Sequence, residues 1–302
     1  MKLLAHYKNG NVDTMLFDDG TLVRSIPDGD TFRPAFASNM DIKITDYCDI
    51  GCPYCHEGSS VYGKHADIMN EKFVDTLHEG QEVALGGGNV LAHPDFIPFL
   101  EKLKDLNVIA NITVNQEHFM KHYDTIKWLS DNKYVYGIGV SLKKPTLEFT
   151  TKIRDIPNIV IHVINGIFSE DDYSVLKNRG LKLLILGYKD IRRGEQYYKQ
   201  DGTTITKNQE WLEYEWSNML NEFEVISFDN LALEQLNIKS HISQEQWDQF
   251  YMGDDGTFTY YIDMVNRQFA VSSTAPLNER RPLLDSVDDM FHIIQEKVYD
   301  NW

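Results

Sequence analysis

The chain has 302 residues, 42% of them hydrophobic and 25% charged, with a formal net charge of −17 at pH 7. That is enough apolar material for a full core without disulfides, and an aromatic content of 12% argues against a disordered chain. The acidic field repels a phosphate backbone, so no nucleic-acid partner is expected; no apolar run approaches the roughly 20 residues that span a bilayer, the apolar part of the N-terminus is too short for a signal peptide, and a soluble cytoplasmic protein without membrane association is expected.

Residues 1–37 read as a β-hairpin cap. Leu3–Tyr7 and Thr14–Phe17 flank Asn9-Gly10, and Asp19-Gly20 precedes Thr21–Arg24; Asn-Gly and Asp-Gly pairs favour tight hairpin turns because they tolerate positive φ. From 38 to 190 short strands alternate with helices. The strands fall at Asp41–Thr45, Glu82–Leu85, Val108–Val114, Tyr136–Leu142, Asn158–Ile164 and Leu181–Leu186. Between them, Asn70–Glu79, Pro94–Leu106, Glu117–Ser130, Thr146–Asp155 and Ser169–Arg179 read as helices, with Asn70 and Ser169 as N-caps. Repeats of this length mean parallel strands joined by crossover helices. The fold class is therefore α/β, as a partial (β/α)6 TIM-like barrel or an open doubly wound sheet. Residues 191–302 form an α+β C-terminal extension. Its first part, 190–208, is polar and reads as a loop or lid. Helices follow over Asn208–Glu222 and Ser243–Phe250, then a hairpin of Thr257–Met264 and Gln268–Ser272, and a last helix with Met290, Ile293, Ile294 and Val298 on one face.

All three cysteines lie in one loop after the first core strand: Cys48-Asp49-Ile50-Gly51-Cys52-Pro53-Tyr54-Cys55. Three thiolates on one short loop can hold three corners of an iron–sulfur cube, leaving the fourth iron free for a small molecule. A Cys3His zinc site with His56, His65, His78 or His93 is the alternative, although structural zinc sites usually come as two short pairs. Three cysteines cannot all pair as disulfides, and nothing else suggests a secreted, stapled domain. Three ordinary buried thiols are the remaining reading.

The CxxxCxxC spacing resembles that of the radical S-adenosylmethionine (radical SAM) enzymes. The resemblance implies one [4Fe–4S] cluster on Cys48, Cys52 and Cys55, with SAM chelating the open iron through its amino and carboxyl groups. The second strand ends in Gly86-Gly87-Gly88-Asn89-Val90 and runs on to His93-Pro94-Asp95-Phe96, similar to the family's Gly-Gly-Glu-Pro motif. Gly87 and Gly88 take the glycine positions and Asn89 that of the glutamate, in the segment that binds the SAM amino group. Tyr54 matches an aromatic near the adenine, and Asn115 a polar strand end that lines the SAM pocket. Ser141 matches a contact to the ribose or the methionyl carboxylate, and Gly187 a backbone contact to adenine. The partial barrel is also the fold the resemblance implies, and active sites of such barrels sit at the C-terminal strand ends.

The C-terminal region is faintly similar to the SPASM or twitch extensions of peptide-modifying members, but Ser272, Ser273 and Thr274 stand where those carry cysteines, so no auxiliary cluster is expected. The resemblance implies a 5′-deoxyadenosyl radical that abstracts a hydrogen atom from a substrate, a peptide or protein before a small metabolite or nucleotide. It also implies an electron donor such as flavodoxin or ferredoxin. No catalytic side chain is assigned from the sequence. A non-catalytic zinc-binding protein of the same fold is the alternative outside the enzyme class.

Overall fold

The computed structural model describes residues 2–299, the last three by backbone alone. Val298, expected on the apolar face of the last helix, therefore has its side chain outside the described residues, as do residues 300–302 of the C-terminal region. Three strands, β1 (Leu3–Asn9), β2 (Val12–Phe17) and β3 (Leu22–Ser25), form an antiparallel sheet of consecutive hairpins. The turn between the first two needs its glycine: Gly10 has φ +63°, and a Cβ there would lie 2.1 Å from the Arg33 carbonyl oxygen.

The main sheet begins with the strands read from the sequence: β4 (Asn39–Thr45), β5 (Glu82–Gly87), β6 (Ile109–Asn115), β7 (Gly137–Ser141), β8 (Ile159–Ile164) and β9 (Lys182–Leu186). They are parallel and paired in sequence order. Four more strands join them. β10 (Val225–Phe228) runs parallel beside β9, while β11 (Thr259–Asp263) runs parallel beside β4. β12 (Gln268–Ala270) and β13 (Arg281–Pro282) then extend that edge antiparallel. The result is a mixed α/β fold on a ten-stranded, mostly parallel sheet.

The connecting helices are α1 (Phe96–Asp105), α2 (Gln116–Lys121), α3 (Tyr123–Asp131), α4 (Leu147–Arg154), α5 (Glu170–Leu176), α6 (Arg193–Met219), α7 (Asn230–Gln235), α8 (Gln244–Phe250) and α9 (Val287–Tyr299). Among the described residues no helix is long and apolar enough to cross a membrane. The start of α5 fulfils its sequence signal, with a Ser169–Asp172 capping box. Two expectations are corrected. Residues 70–79 make only a 3-10 turn, Lys72–Thr76, because the Asn70 amide donates to the Asp67 carboxylate (2.9 and 3.0 Å) instead of capping a helix. The polar stretch read as a loop is helical from Arg193 onward. Its two glycines misled the reading: Gly194 sits in the first turn with no room for a Cβ (2.2 Å from the Lys189 carbonyl oxygen), and Gly202 follows the one helix break, at Asp201.

The alternation along the strands sorts the sheet into two unlike faces. Met40, Ile42, Ile44, Val83, Leu85, Ile112, Val140, Ile161 and Ile185 point to one face and pack, fully buried, in a single core with Phe99, Phe119, Phe149 and Leu176 of the helices. Burial of side chains of this size contributes about 1.5–3 kcal/mol each. The opposite face carries Asp41, Lys43, Asn111, Thr113, Asn115, Ser141, His162 and Tyr261. Parallel sheets are usually apolar on both faces, and this polar face departs from that pattern.

The N-terminal sheet covers the ends of the strands remote from the cysteines. Arg24 donates to Ser38 Oγ just before β4 (2.7 Å), Lys182 at the start of β9 donates to the Asp19 carbonyl (3.2 Å), and Gly80, just before β5, packs against Ala5 and Tyr7.

Candidate functional site

The cysteine loop leaves the C-terminal end of β4 and is shaped by its own backbone. Cys48 N–H donates to the Ser60 carbonyl (2.9 Å), Ser60 N–H to that of Asp46 (3.0 Å), Cys55 N–H to that of Cys52 (3.3 Å) and Gly58 N–H to that of Cys55 (3.2 Å). All three thiols are free and partly buried. Burial, followed by the neighbouring Cys55 and Cys48, pushes the Cys52 thiol up to about 11. Three crowded thiols of this kind become good ligands only when cations offset their mutual repulsion. Asn115, at the end of β6, donates its amide to Cys52 Sγ (3.6 Å).

Gly87, Gly88 and Asn89 lie against the start of this loop. Gly88 N–H donates to the Thr45 carbonyl (2.7 Å) and Asn89 N–H to that of Tyr47 (2.6 Å). A Cβ on Gly87, which has φ +108°, would stand 2.3 Å from the Thr45 oxygen, and one on Gly88 would stand 2.1 Å from that of Tyr47. The close approach these glycines permit is therefore to the cysteine loop itself. Asn89 is buried; its Nδ2 donates to Asp49 Oδ1 (3.2 Å), while its own Oδ1 is buried without a partner. His118 Nε2, on α2, lies 2.7 Å from the same Asp49 oxygen. Against the effect of burial, this His118 hydrogen bond holds the Asp49 carboxyl below its ordinary range.

Asp49 and His118 carry no sequence signal, since 69 residues separate them. The candidate zinc histidines are engaged elsewhere. Both ring nitrogens of His93 are used, with the Ala66 carbonyl (2.9 Å) and the Asp95 N–H (3.1 Å). His78 pairs with Asp288 (2.8 Å), His65 with Thr45 Oγ1 (2.9 Å) and His56 with Glu57 (3.4 Å). Among the described residues, one group of three or more such ligand atoms lies mutually within 4.8 Å, that of Cys48, Asp49 and His118, and it does not include Cys52 or Cys55. Thiolates on one zinc would be ~3.8 Å apart, from a Zn–S bond of about 2.3 Å.

A polar row crosses the sheet from Cys52. Asn115 on β6 is in register with Ser141 on β7, and Ser141 with His162 on β8. Adjacent strands lie about 4.8 Å apart, so the row extends ~10 Å from Asn115. The His162 ring makes no hydrogen bond among the described residues, and burial together with the charge of Lys189 lowers its pKa to about 4. Asp41, deeper on the same face, is raised by burial, against the pull of Lys189. Sequence reasoning passed over both; the signal was Asp41 and Lys43 alternating with apolar residues in β4, and a single histidine within the apolar run of β8.

Tyr54 is on the loop, edge-on to Tyr197 of α6 (5.8 Å). Gly187 follows β9, three strands from β6; its N–H is held by Asp229 (2.8 Å), and a Cβ would meet Leu231 at 2.4 Å. The structure thus gathers Gly87, Gly88, Asn89 and Asn115 around the cysteines, continues the row through Ser141, and sets Gly187 against α7.

The loop is also anchored by buried charge. Lys43 is 2% exposed and reaches Asp46 (2.6 Å), Glu57 (3.2 Å) and Asp263 of β11 (3.3 Å). Although burial opposes it, His56, Lys43 and Arg192 hold the Glu57 carboxyl well below its ordinary range. An open cavity of about 260 Å³ beside this cluster is lined by Lys43, Asp46, Glu57, Arg192 and Asn266.

At the level of architecture this mixed α/β fold is shared with known structures. The chain is similar to two solved structures of SuiB from Streptococcus suis, one bound to precursor peptide SuiA and one bound to S-adenosylmethionine. Each has a TM-score of 0.51, with 15% and 13% sequence identity respectively, over 79% of this chain and 60% of SuiB. The chain therefore spans less than two thirds of the protein it matches, and the likeness is one of fold. No protein-family profile and no curated protein matches the sequence.

Proposed function

We propose that the chain is a radical SAM enzyme that modifies a peptide. The observation that carries this reading is the site at the end of β4: three free thiols on one loop, not all within 4.8 Å of one another, beside a buried acceptor, Asn89 Oδ1, that lacks a partner. The donor set fits a [4Fe–4S] cluster on Cys48, Cys52 and Cys55, and the orphaned acceptor fits an ammonium group next to it. When bound, cluster and SAM supply a 5′-deoxyadenosyl radical able to take a hydrogen atom from an unactivated C–H bond.

The remaining work belongs to the chain. Asn89 Oδ1 and the Asp49 carboxylate would accept the SAM ammonium, Asp49 supplying the charge that Asn89 lacks. Gly87 and Gly88 set the height of the cysteine loop. Asn115 and Ser141 present polar groups along the bound SAM, with Tyr54 and the Gly187 backbone toward its adenine. The strands β4–β9, within residues 38–190, serve as a partial (β/α)6 barrel; residues 1–37 close its floor, and residues 191–302 cover its mouth and keep the radical from water. The fold shared with a SuiB structure that holds a precursor peptide supports a peptide substrate. A cytoplasmic flavodoxin or ferredoxin would supply the electron.

The test is anaerobic reconstitution of the full chain, iron and sulfide analysis, and EPR of the reduced protein with and without SAM. A [4Fe–4S] signal that SAM alters, with 5′-deoxyadenosine formed on incubation, is expected. Zinc in place of iron, or a signal blind to SAM, would overturn the reading.

A further inference from the structure

We infer that His118 is a positioning residue of the SAM site: its ring pins the Asp49 carboxylate against the Asn89 amide, and the oriented pair reads the amino group of the ligand. The inference rests on the proposed function and adds to it a residue that no sequence motif marks.

The ring is placed by a short helix clamped at its start. Asn115 caps α2, its Oδ1 accepting from the Glu117 N–H (2.9 Å), while its own amide reaches Cys52 Sγ. Gln116 ties the same turn to the chain that follows β7. Its Oε1 accepts from the N–H groups of Lys143 (2.9 Å) and Lys144 (3.0 Å), and its Nε2 donates to the Lys144 carbonyl (2.6 Å). Turning this part of α2 would break all of these bonds. His118 comes two residues after Gln116 and is buried. Its Nε2 stands 2.7 Å from Asp49 Oδ1. A carboxylate can only accept, so this ring nitrogen carries a proton and donates it.

Asp49 needs such a hold, because it lies in the cysteine loop with 36% of its side chain open to solvent. Asn89 Nδ2 donates to the same oxygen, Oδ1 (3.2 Å). An acceptor-only group admits one orientation of that amide; turned over, Asn89 would set its own oxygen against the carboxylate. Asp49 thus decides which way Asn89 points, and Asn89 Oδ1 is left buried without a partner. An unpaired buried acceptor costs about 1–3 kcal/mol. An ammonium, with three N–H donors, satisfies it, and the neighbouring carboxylate favours a cationic donor over a neutral one. The order of dependence is His118, then Asp49, then Asn89. Without the ring Asp49 is free to turn to water, and Asn89 loses what fixes its amide. His118 acts through Asp49 and does not touch the ligand.

The experiment is anaerobic titration calorimetry of the reconstituted full-length protein with SAM and, separately, with 5′-methylthioadenosine, which keeps the adenosine and the sulfur but has no amino acid part. His118→Ala should weaken SAM binding by about tenfold or more, as expected for loss of a hydrogen bond to a charged group, and leave 5′-methylthioadenosine binding unchanged. His118→Gln, whose amide can donate to the same oxygen, should recover most of the loss. Asp49→Asn should weaken SAM binding at least as much as His118→Ala, and the double variant no more than Asp49→Asn alone. SAM binding at the wild-type level in His118→Ala, losses that add in the double variant, or equal losses for both ligands would overturn the inference and leave the radical SAM reading intact. A fall in iron content in His118→Ala would show a ring that serves the cysteine loop or a metal directly, and would also overturn it. A wild-type cluster that does not bind SAM removes both.

Discussion

Gly139 lies under the imidazole of His162: a Cβ built on Gly139 would stand 2.2 Å from the ring's Cε1 and 2.4 Å from Nε2. The ring leans along its strand across β7 and fills the space that a side chain there would take. Gly139→Ala should therefore destabilise the fold by about 1–3 kcal/mol, the usual penalty of overpacking. Combined with His162→Ala it should cost much less than the sum of the two single changes. Urea denaturation of the four proteins checks this; additive losses would mean that the ring does not depend on the glycine.

His162 also gives a pH dependence. Its folded pKa of about 4 lies below the ordinary 6.5, so the unfolded chain takes up the proton first as pH falls. The contribution of the neutral ring is full above about pH 6.5 and is lost as pH falls toward 4. Allowing for the ring's partial exposure, the loss at pH 5 is on the order of 1–2 kcal/mol. His162→Gln should remove that part of the slope between pH 7.5 and pH 5, as measured by urea midpoints. An unchanged slope would show that the ring is protonated in the folded protein.

Lys43 faces three carboxylates from a nearly dry position. Lys43→Met leaves Asp46, Glu57 and Asp263 gathered around an apolar chain and should destabilise by about 3–5 kcal/mol, the range for breaking a buried charge pair on one side. Asp263→Asn should cost less, because Lys43 keeps two acids. Comparison of unfolding free energies decides, and a loss below about 1 kcal/mol for Lys43→Met would show that Arg192, 3.4 Å from Glu57, and Arg280, 3.8 Å from Asp263, suffice.

Gly88→Ala should uncouple metal binding from folding. Its new Cβ would meet the Tyr47 oxygen at 2.1 Å and lift the cysteine loop, whereas Gly86 has nothing within 4 Å of the equivalent position. Iron content after reconstitution should fall sharply in Gly88→Ala and stay at the wild-type level in Gly86→Ala. Equal iron in both would show that the loop gives way without penalty.

The six strands β4–β9 could be read from the chain because each is a short, largely apolar run, four of them (β5, β6, β8 and β9) closed by Gly or Asn, and the cysteine loop because its cysteines are neighbours in sequence. What could not be read depends on partners brought together by the fold. Asp49 meets His118 and Asn89 only once β4, β5 and β6 are side by side. The polar stretch before residue 208 looks like a loop because a helix held by tertiary contacts, such as Arg192 to His56, needs little propensity of its own. The family-matched positions Gly87, Gly88, Asn89 and Asn115 come together around the thiols, while the histidines proposed from proximity in sequence turn to other partners. The polar row ending at His162 was legible in part, as alternation, but its meaning required the register between strands.

The pairing of β4 with both β5 and β11 has a consequence for how the protein is made. The strand that leads into the cysteine loop finds its first neighbour some forty residues later, but Lys43 and its partner Asp263 are 220 residues apart. On the ribosome β4 must wait as an open edge, its lysine without that acid, until residues 259–263 have emerged. Such long-range closure is slow and leaves intermediates exposed. The cysteine loop is therefore expected to reach its final shape only after β11 has joined, and fragments ending before β11 should take up less iron on reconstitution than a chain that includes it.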